Sequence, residues 1–227
     1  MPSPVGHALA GLITAWAVER FTILRGSSTW HGLTGLTVLC VALAVAPDLD
    51  HLYMPYHRTV THSVSAVLLV TIIAAAVTRQ VTGRVGWILT LTCATAYGSH
   101  IVLDWLGADA STPRGIEALW PFSRDWYISS WSLFPGIERR DPLSARALLI
   151  NLRALVAEIL LLGPVALMLW RLRRAGDTTR TRRSRVRISG QDARPQPSGG
   201  AADRPGTSDR PALRAARSEW PDTRRGR

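Results

Sequence analysis

Ionisable side chains are concentrated in one short stretch of the sequence, APDLDHLYMPYHRTVTHS, which covers residues 46–63. The stretch contains two aspartates, three histidines and one arginine. Imidazole and carboxylate groups together are typical ligands of zinc, manganese or iron, whereas calcium prefers oxygen ligands alone. The composition of this stretch therefore indicates a metal centre or a proton-transferring site rather than a plain connecting loop.

The same residue types recur at two other places in the sequence, at His7 and in GSHIVLDWL. In the latter, His100 and Asp104 are four residues apart. On a helix they would share one face, either as metal ligands or as a hydrogen-bonded pair without metal. Five of the six histidines therefore belong to one candidate set, which consists of His7, Asp48, Asp50, His51, His57, His62, His100 and Asp104.

Five apolar runs flank these residues and must position them. The runs cover residues 5–24, 30–46, 64–78, 85–103 and 147–170. Because a helix needs roughly 17–25 apolar residues to cross the hydrocarbon core, they predict an all-α, multi-pass transmembrane bundle of about five spans. The first run is interrupted by Glu19 and Arg20 and is predicted as a retained span over residues 5–18. Four spans are the alternative, and a cleaved signal peptide is disfavoured because no basic region precedes the run.

Successive spans of such a bundle cross the membrane in opposite directions, which determines which helix ends meet. His7 lies at the start of the first run, and the aspartate-rich turn follows the second run. His62 precedes the third run, and His100 lies near the end of the fourth. For either orientation, the eight candidate residues are therefore predicted to meet at one membrane face, and His31 is predicted at the opposite face.

Basic residues are concentrated at the end of the chain. All 27 of them are arginine, and 16 lie in residues 171–227. This segment is rich in Pro, Gly and Ser, so it is predicted as a disordered tail after a membrane domain of residues 1–170. Because arginine favours the cytoplasmic side, the tail is expected in the cytoplasm and the metal site on the extracytoplasmic face of the cell membrane. Attraction to anionic membrane lipids explains the charge better than nucleic-acid binding, since few aromatic residues lie among the arginines.

The connection between the fourth and fifth runs, residues 104–146, is too long for a plain connector. It is rich in aromatic residues and is predicted either to lie on the bilayer surface or to form a lid or lipid-facing wall over the site. It also contains five arginines, which weakens the assignment of this loop to the outer face; they are Arg114, Arg124, Arg139, Arg140 and Arg146. Arg58 is predicted either to bind an anionic substrate group or to reach lipid phosphates.

Several segments together resemble one family of membrane proteins. They are MPSPVGHALAG, APDLDHL, HRTVTHS, HIVLDWL and LWPFSRDWY, and they occur in this order over roughly residues 1–135. In these segments the chain resembles the YdjM-like family of membrane-bound, metal-dependent hydrolases. The resemblance implies a membrane-embedded hydrolase that uses a divalent metal ion, without naming its substrate.

A more distant similarity concerns the metal-binding pattern of zinc-dependent phospholipases C and single-strand-specific nucleases. It implies four zinc ligands, with a neighbouring ion bound by His7; the four are Asp48, His62, His100 and Asp104. Those enzymes have further histidines after this pattern, whereas this chain has none after residue 100, which favours one or two ions over three. The remaining residues of the set are candidates for orienting the ligands or for acid/base catalysis; they are Asp50, His51 and His57.

The expected function is that of an integral membrane hydrolase. In it, metal-bound water would attack a phosphoester of a lipid or lipid-linked substrate at the membrane surface. The alternative is a non-catalytic membrane protein that binds or transports a metal ion or a proton. The sequence lacks a GxSxG elbow, a P-loop and a dinucleotide-binding glycine motif, which argues against serine hydrolases, ATPases and dehydrogenases. Cys40 and Cys93 lie in apolar runs and give no disulfide or zinc-finger pattern.

Overall fold

The computed structural model describes residues 1–21, 34–139 and 141–192. In this part the fold is all-helical, without strands beyond isolated bridges in the long loop. Its five α-helices are α1 (Pro4–Phe21), α2 (Gly35–Val45), α3 (Val64–Thr82), α4 (Trp87–Leu106) and α5 (Ala145–Asp192). Two 3-10 segments connect α2 to α3, Ala46–Tyr56 and Val60–His62. His31, for which the opposite membrane face is predicted, lies outside the described residues.

The helix α4 lies at the centre of the fold, because α1, α2 and α3 all pack against it. The helices α1 and α2 also pack against each other. Small buried residues from α1, α2 and α4 meet in one cluster, which consists of Ala15, Cys40 and Ala96. The cysteines Cys40 and Cys93 are both unbonded and buried, so they act as small apolar residues.

A glycine permits the close approach of α1 and α2. A Cβ atom added at Gly11 would lie 2.6 Å from the carbonyl oxygen of Cys40 and 2.9 Å from the Cβ of Ala44. Because both contacts are shorter than van der Waals distance, any larger residue would push the two helices apart. The contact matters for function because α1 positions His7 and the end of α2 positions the aspartate-rich turn.

Two of the described helices are long and apolar enough to cross a membrane. They are α3, and the part of α5 from Ala145 to Arg174. Most of their large apolar side chains point away from the rest of the protein; on α3 these include Leu68, Leu69 and Ile72. A surface of this kind is stable in lipid rather than in water.

The predicted five-span bundle is not confirmed, because only α3 and part of α5 are long and apolar enough to span among the described residues. The helix α2 has eleven residues, about 16 Å at 1.5 Å per residue, and is too short to span by itself. Its first turn is capped by Thr34, whose side chain accepts a hydrogen bond of 3.1 Å from the amide of Thr37. The helix α4 has twenty residues, but the polar side chains that it buries reduce its apolar character. The sequence runs thus mark the packed helices correctly without showing that each one spans.

The last helix is tied to the first by buried charged residues. The carboxylate of Glu158 accepts a hydrogen bond of 2.5 Å from the amide of Ser3 and a second from the Ser3 hydroxyl. Near the other end of α1, Nε of Arg173 lies 3.0 Å from Oε2 of Glu19. The predicted end of the membrane domain at residue 170 lies within α5, which extends to Asp192. Residues 193–227 lie outside the described part, so a disordered tail there stays a prediction.

Candidate metal centre

Four helical elements bring five buried or nearly buried residues together at one end of the fold. The first turn of α1 provides His7, and the 3-10 segment after α2 provides Asp48. The short segment before α3 provides His62. His100 and Asp104 lie one turn apart near the end of α4. These are the five residues that the sequence predicts as metal ligands, and the structure places them in one cluster.

The carboxylate of Asp104 lies in the middle of this cluster. Its Oδ2 is 3.3 Å from Nε2 of His62 and 3.3 Å from Nε2 of His100. Its Oδ1 is 3.4 Å from Nε2 of His7. One carboxylate oxygen therefore faces His7, and the other faces the two remaining imidazoles.

Asp48 completes the cluster near the imidazoles of His62 and His100. Its Oδ1 lies 3.9 Å from Nε2 of His62 and 3.8 Å from Nε2 of His100. The two Nε2 atoms are themselves 3.0 Å apart. Ligand atoms at zinc–nitrogen distances of 2.0–2.1 Å in a tetrahedron would be about 3.3 Å apart, so these separations are compatible with a shared ion.

Several atoms of the cluster are buried without a hydrogen-bond partner among the described residues. They are Nδ1 and Nε2 of His7, both carboxylate oxygens of Asp104 and Oδ2 of Asp48. A buried carboxylate without a partner is strongly unfavourable. A divalent cation would supply the missing interactions, and two overlapping groups, His7/His100/Asp104 and Asp48/His62/His100, have ligand atoms within 4.8 Å of one another. The donor set thus fits a metal ion.

The orientation of two imidazoles leaves Nε2 available as a ligand atom. Nδ1 of His100 lies 2.7 Å from the carbonyl oxygen of Ala44 and must carry the proton, because a carbonyl can only accept. Nδ1 of His62 lies 3.3 Å from Oδ2 of Asp50. Carbonyl and carboxylate partners of this kind typically fix the tautomer of metal-binding histidines.

Charges around His62 and Asp50 favour their ionised forms. Burial alone would lower the pKa of His62, but the nearby carboxylates of Asp104 and Asp50 raise it to about 9. Burial alone would raise the pKa of Asp50, but hydrogen bonds from His57, His62 and Thr61 lower it well below its ordinary value. The raised pKa favours the doubly protonated imidazolium of His62, so a metal ion bound at Nε2 would displace a proton.

The predicted catalytic residues Asp50, His51 and His57 do not lie within the ligand cluster. Asp50 stands behind His62 and accepts hydrogen bonds of 2.6 Å from Nδ1 of His57, 2.6 Å from the Thr61 hydroxyl and 3.0 Å from the amide of Arg58. The rings of His51 and His57 are stacked with their centroids 3.9 Å apart. Both side chains line a separate cavity.

This cavity has a volume of about 910 Å³ and is rich in arginine. Besides His51 and His57, four arginines and two carboxylates line it: Arg58, Arg114, Arg139, Arg146, Asp109 and Glu138. Nη1 of Arg139 contacts Nε2 of His51 and lies 3.4 Å from Nε2 of His57. Of these arginines, sequence reasoning selected only Arg58. The other arginines could have been noticed by their number, because the predicted orientation places their loop outside, where arginine is disfavoured.

The long loop is folded over the site rather than extended. The amide of Ala108 donates a hydrogen bond of 2.7 Å to the carbonyl of Phe134. The amide of Val64 donates one of 2.8 Å to the carbonyl of Ala118. Ile116 and Phe134 are buried, whereas Phe122 is 91 % and Trp131 is 79 % exposed. The loop therefore forms a wall of the site and also presents aromatic side chains outward, so both alternatives for it are compatible with the structure.

Comparison with known proteins identifies one family. The family model described as YdjM inner membrane protein matches residues 1–175, which include all four helical elements of the metal centre. Comparison with curated proteins and with solved structures gives no match. With two helices apolar enough to span and a family match over most of its length, the chain belongs to the YdjM inner membrane protein family.

Proposed function

We propose that this protein is an integral membrane hydrolase that uses one or two divalent metal ions, preferably zinc. The observation that carries the proposal is the cluster of three histidines and two aspartates with orphaned, buried ligand atoms. Buried ionisable groups in a membrane protein are costly and are retained mainly for function. The substrate that the site suits best is a phosphoester of a lipid or lipid-linked molecule.

The cluster would hold one or two ions. Its two overlapping groups, His7/His100/Asp104 and Asp48/His62/His100, would provide the ligands. A bound zinc ion lowers the pKa of a coordinated water to about 7 and polarises a phosphoryl oxygen. The protein's own contribution is to bring these ligands together and to orient His62 and His100 through Asp50 and the carbonyl of Ala44.

The geometry suggests different roles for the three residues that the sequence assigns to catalysis. Asp50 has a lowered pKa and both oxygens occupied, so it is suited to orienting His62 and His57 rather than to exchanging protons. Nδ1 of His57 donates a hydrogen bond to Asp50, and its Nε2 faces Arg139 in the cavity. His51 stacks on His57. We therefore assign proton transfer to His57, with His51 as its support.

The location of the site supports a lipid-linked substrate. The site lies where the apolar helix α3 begins, beside the loop that exposes Phe122 and Trp131. Aromatic side chains at such positions are typical of the membrane–water interface. We place the site on the extracytoplasmic face, because the arginine-rich end of the chain favours the cytoplasm.

A non-catalytic role is the second candidate, because four of the five ligands are almost completely buried. Structural zinc sites are closed, whereas catalytic sites keep an open position. The side chain of Asp48 is 11 % exposed and is the most accessible of the five. Water or substrate would therefore approach the cluster at Asp48. A structural metal clip would need no such access.

The test is to purify the full-length protein in detergent and to measure bound metal by mass spectrometry and hydrolysis of a chromogenic phosphodiester. We expect bound zinc and activity in the wild type, and loss of both in His100→Ala. Metal binding without hydrolysis of any phosphoester, together with zinc flux in liposomes, would support the carrier. Absence of metal in zinc-supplemented wild type would contradict both proposals.

A further inference from the structure

We propose that the arginine-lined cavity beside the metal centre is a separate binding subsite for a phosphate group, with Arg139 as its principal contact. The proposal deepens the proposed function, because it describes the part of the substrate that is held away from the metal. Phosphate binding itself can be tested whether or not the protein is a hydrolase.

The charge of the cavity favours an anion. The described lining contains four arginines against two carboxylates. One of the carboxylates, Asp109, is already engaged by the side chain of Arg58, by the Ser111 hydroxyl and by the amide of Gly115. Positive charge therefore exceeds negative charge in the cavity, and guanidinium groups bind phosphate through paired hydrogen bonds.

Arg139 is the arginine best placed to bind the anion. Its contacts among the described residues are with ring nitrogens of His51 and His57, not with a carboxylate. Because Nδ1 of His57 faces Asp50, its Nε2 carries the lone pair and accepts from Arg139. The imidazoles thus hold the guanidinium in place without neutralising its charge, and they leave its other donors for a ligand.

Arg58 provides a second, fixed side to the cavity. Its backbone has φ of +66°, in the left-handed region that non-glycine residues rarely adopt. This conformation is held by hydrogen bonds of 3.0 Å from its amide to Asp50 and 3.0 Å from the amide of Glu117 to its carbonyl. The side chain is thereby directed to Asp109 at the cavity wall.

The cavity is distinct from the metal centre but coupled to it. None of the five metal-ligand residues belongs to the described lining. Asp50 connects the two places, since one oxygen accepts from His57 at the cavity and the other faces His62 at the metal centre. The substrate class that follows is a molecule with a phosphate group in addition to the bond that is attacked at the metal.

The first experiment measures phosphate binding by the purified full-length protein, by calorimetry with inorganic phosphate and glycerol phosphate. Chelator-treated protein is included so that binding at the metal is separated from binding in the cavity. We expect Arg139→Ala to weaken binding by tenfold or more, on the order of one lost charge-assisted contact. Arg139→Lys should be intermediate, because lysine keeps the charge but not the paired donors. Arg124→Ala, on an exposed loop residue outside the cavity, should bind like the wild type.

A second measurement needs no substitution and therefore does not depend on folding of the variants. Phenylglyoxal modifies accessible arginines, and peptide mass spectrometry reports the rate at each position. Phosphate should slow modification of Arg139 but not of Arg124. Equal rates at Arg139 with and without inorganic phosphate, combined with equal rates in membranes with and without phosphatidic acid, would overturn the proposal. Measurable phosphate binding that is equally tight in Arg139→Ala and Arg124→Ala would also overturn it.

The last arm identifies the source of the phosphate. The protein is reconstituted in nanodiscs of phosphatidylcholine alone or with phosphatidic acid, and Arg139 modification is compared. Protection by phosphatidic acid but not by inorganic phosphate assigns the subsite to a lipid headgroup, and protection by inorganic phosphate in both discs assigns it to a water-soluble group. Protection by neither refutes the subsite. Zinc content in Arg139→Ala should equal that of the wild type, so failure of the subsite and failure of the metal centre are distinguishable.

Discussion

Nδ1 of His100 donates a hydrogen bond of 2.7 Å to the carbonyl oxygen of Ala44, which links the middle of the metal centre to the last turn of α2. That carbonyl lies just before Pro47, where the α-helix changes to a 3-10 segment. Proline removes a backbone donor, so the last carbonyls of α2 need other partners. The imidazole satisfies one of them and is itself fixed with Nε2 toward Asp104 and His62. One bond therefore satisfies a carbonyl at the end of α2 and orients a candidate metal ligand.

Replacement of Asp50 tests whether it acts through His62. In Asp50→Asn the carboxylate that faces Nδ1 of His62 and Nδ1 of His57 becomes a neutral amide. We expect zinc affinity to fall by about 10–100-fold, the usual effect of removing the acceptor behind a metal-binding histidine. The measurement is zinc competition against a chelating dye. Asp125→Asn, on the exposed loop, is the control, and unchanged zinc affinity in Asp50→Asn would show that His62 is oriented in another way.

The sequence was sufficient to predict which residues of the His/Asp cluster meet. Alternating direction of successive helices brings His7, His62 and His100 to one end, and this argument needs only the order of the apolar runs. The number of spans was harder to predict, because hydropathy alone does not show how far a helix extends. The turn at Pro47 ends α2 early, and buried polar residues make α4 less apolar than a lipid-facing span.

The arginine cavity could not be predicted from spacing. Arg58 and Arg139 are 81 residues apart (139 − 58), and they meet because the loop after α4 folds back over the segment before α3. Backbone hydrogen bonds across a long loop have no sequence period that would reveal them. The sequence left open whether Asp50 orients a ligand or takes part in acid/base catalysis, because only the geometry shows that it faces His62 and His57.

The contact between α1 and α2 gives a prediction about stability. In Gly11→Ala the added Cβ would collide with the carbonyl oxygen of Cys40. We expect a loss of about 1–3 kcal/mol in the free energy of unfolding, as for other overpacked sites. Gly35→Ala is a matched control, because nothing lies within 4 Å of its Cβ position. Thermal unfolding in detergent should show a lower Tm for Gly11→Ala alone, and equal Tm values for the two variants would mean that the helices are not in close contact.

Glu158 gives a prediction that links stability to the metal centre. It binds the amide and hydroxyl of Ser3, one turn before His7, from the middle of α5. Glu158→Ala leaves these donors buried and unpaired, which costs about 1–3 kcal/mol. We expect a lower Tm together with reduced zinc occupancy, because the first turn of α1 is no longer fixed. Ser3→Ala removes only the hydroxyl and should have a smaller effect on both. Normal zinc occupancy in Glu158→Ala would show that His7 is positioned without α5.

Asp109 gives a prediction about pH. Burial alone would raise the pKa of this carboxyl, but hydrogen bonds from Ser111 and Gly115 and the charge of Arg58 lower it. A carboxyl whose pKa is lower in the folded protein than in the unfolded chain stabilises the fold above the unfolded value, near 4, and loses this effect as the pH falls through the folded value. We therefore expect Asp109→Asn to have a lower Tm than the wild type at pH 7, and the difference to shrink below about pH 4. The measurement is thermal unfolding of both proteins in detergent from pH 3 to pH 8, with Asp125→Asn as the exposed control. A Tm difference that is the same at all pH values would show that the ionised form of Asp109 does not hold the loop against Arg58.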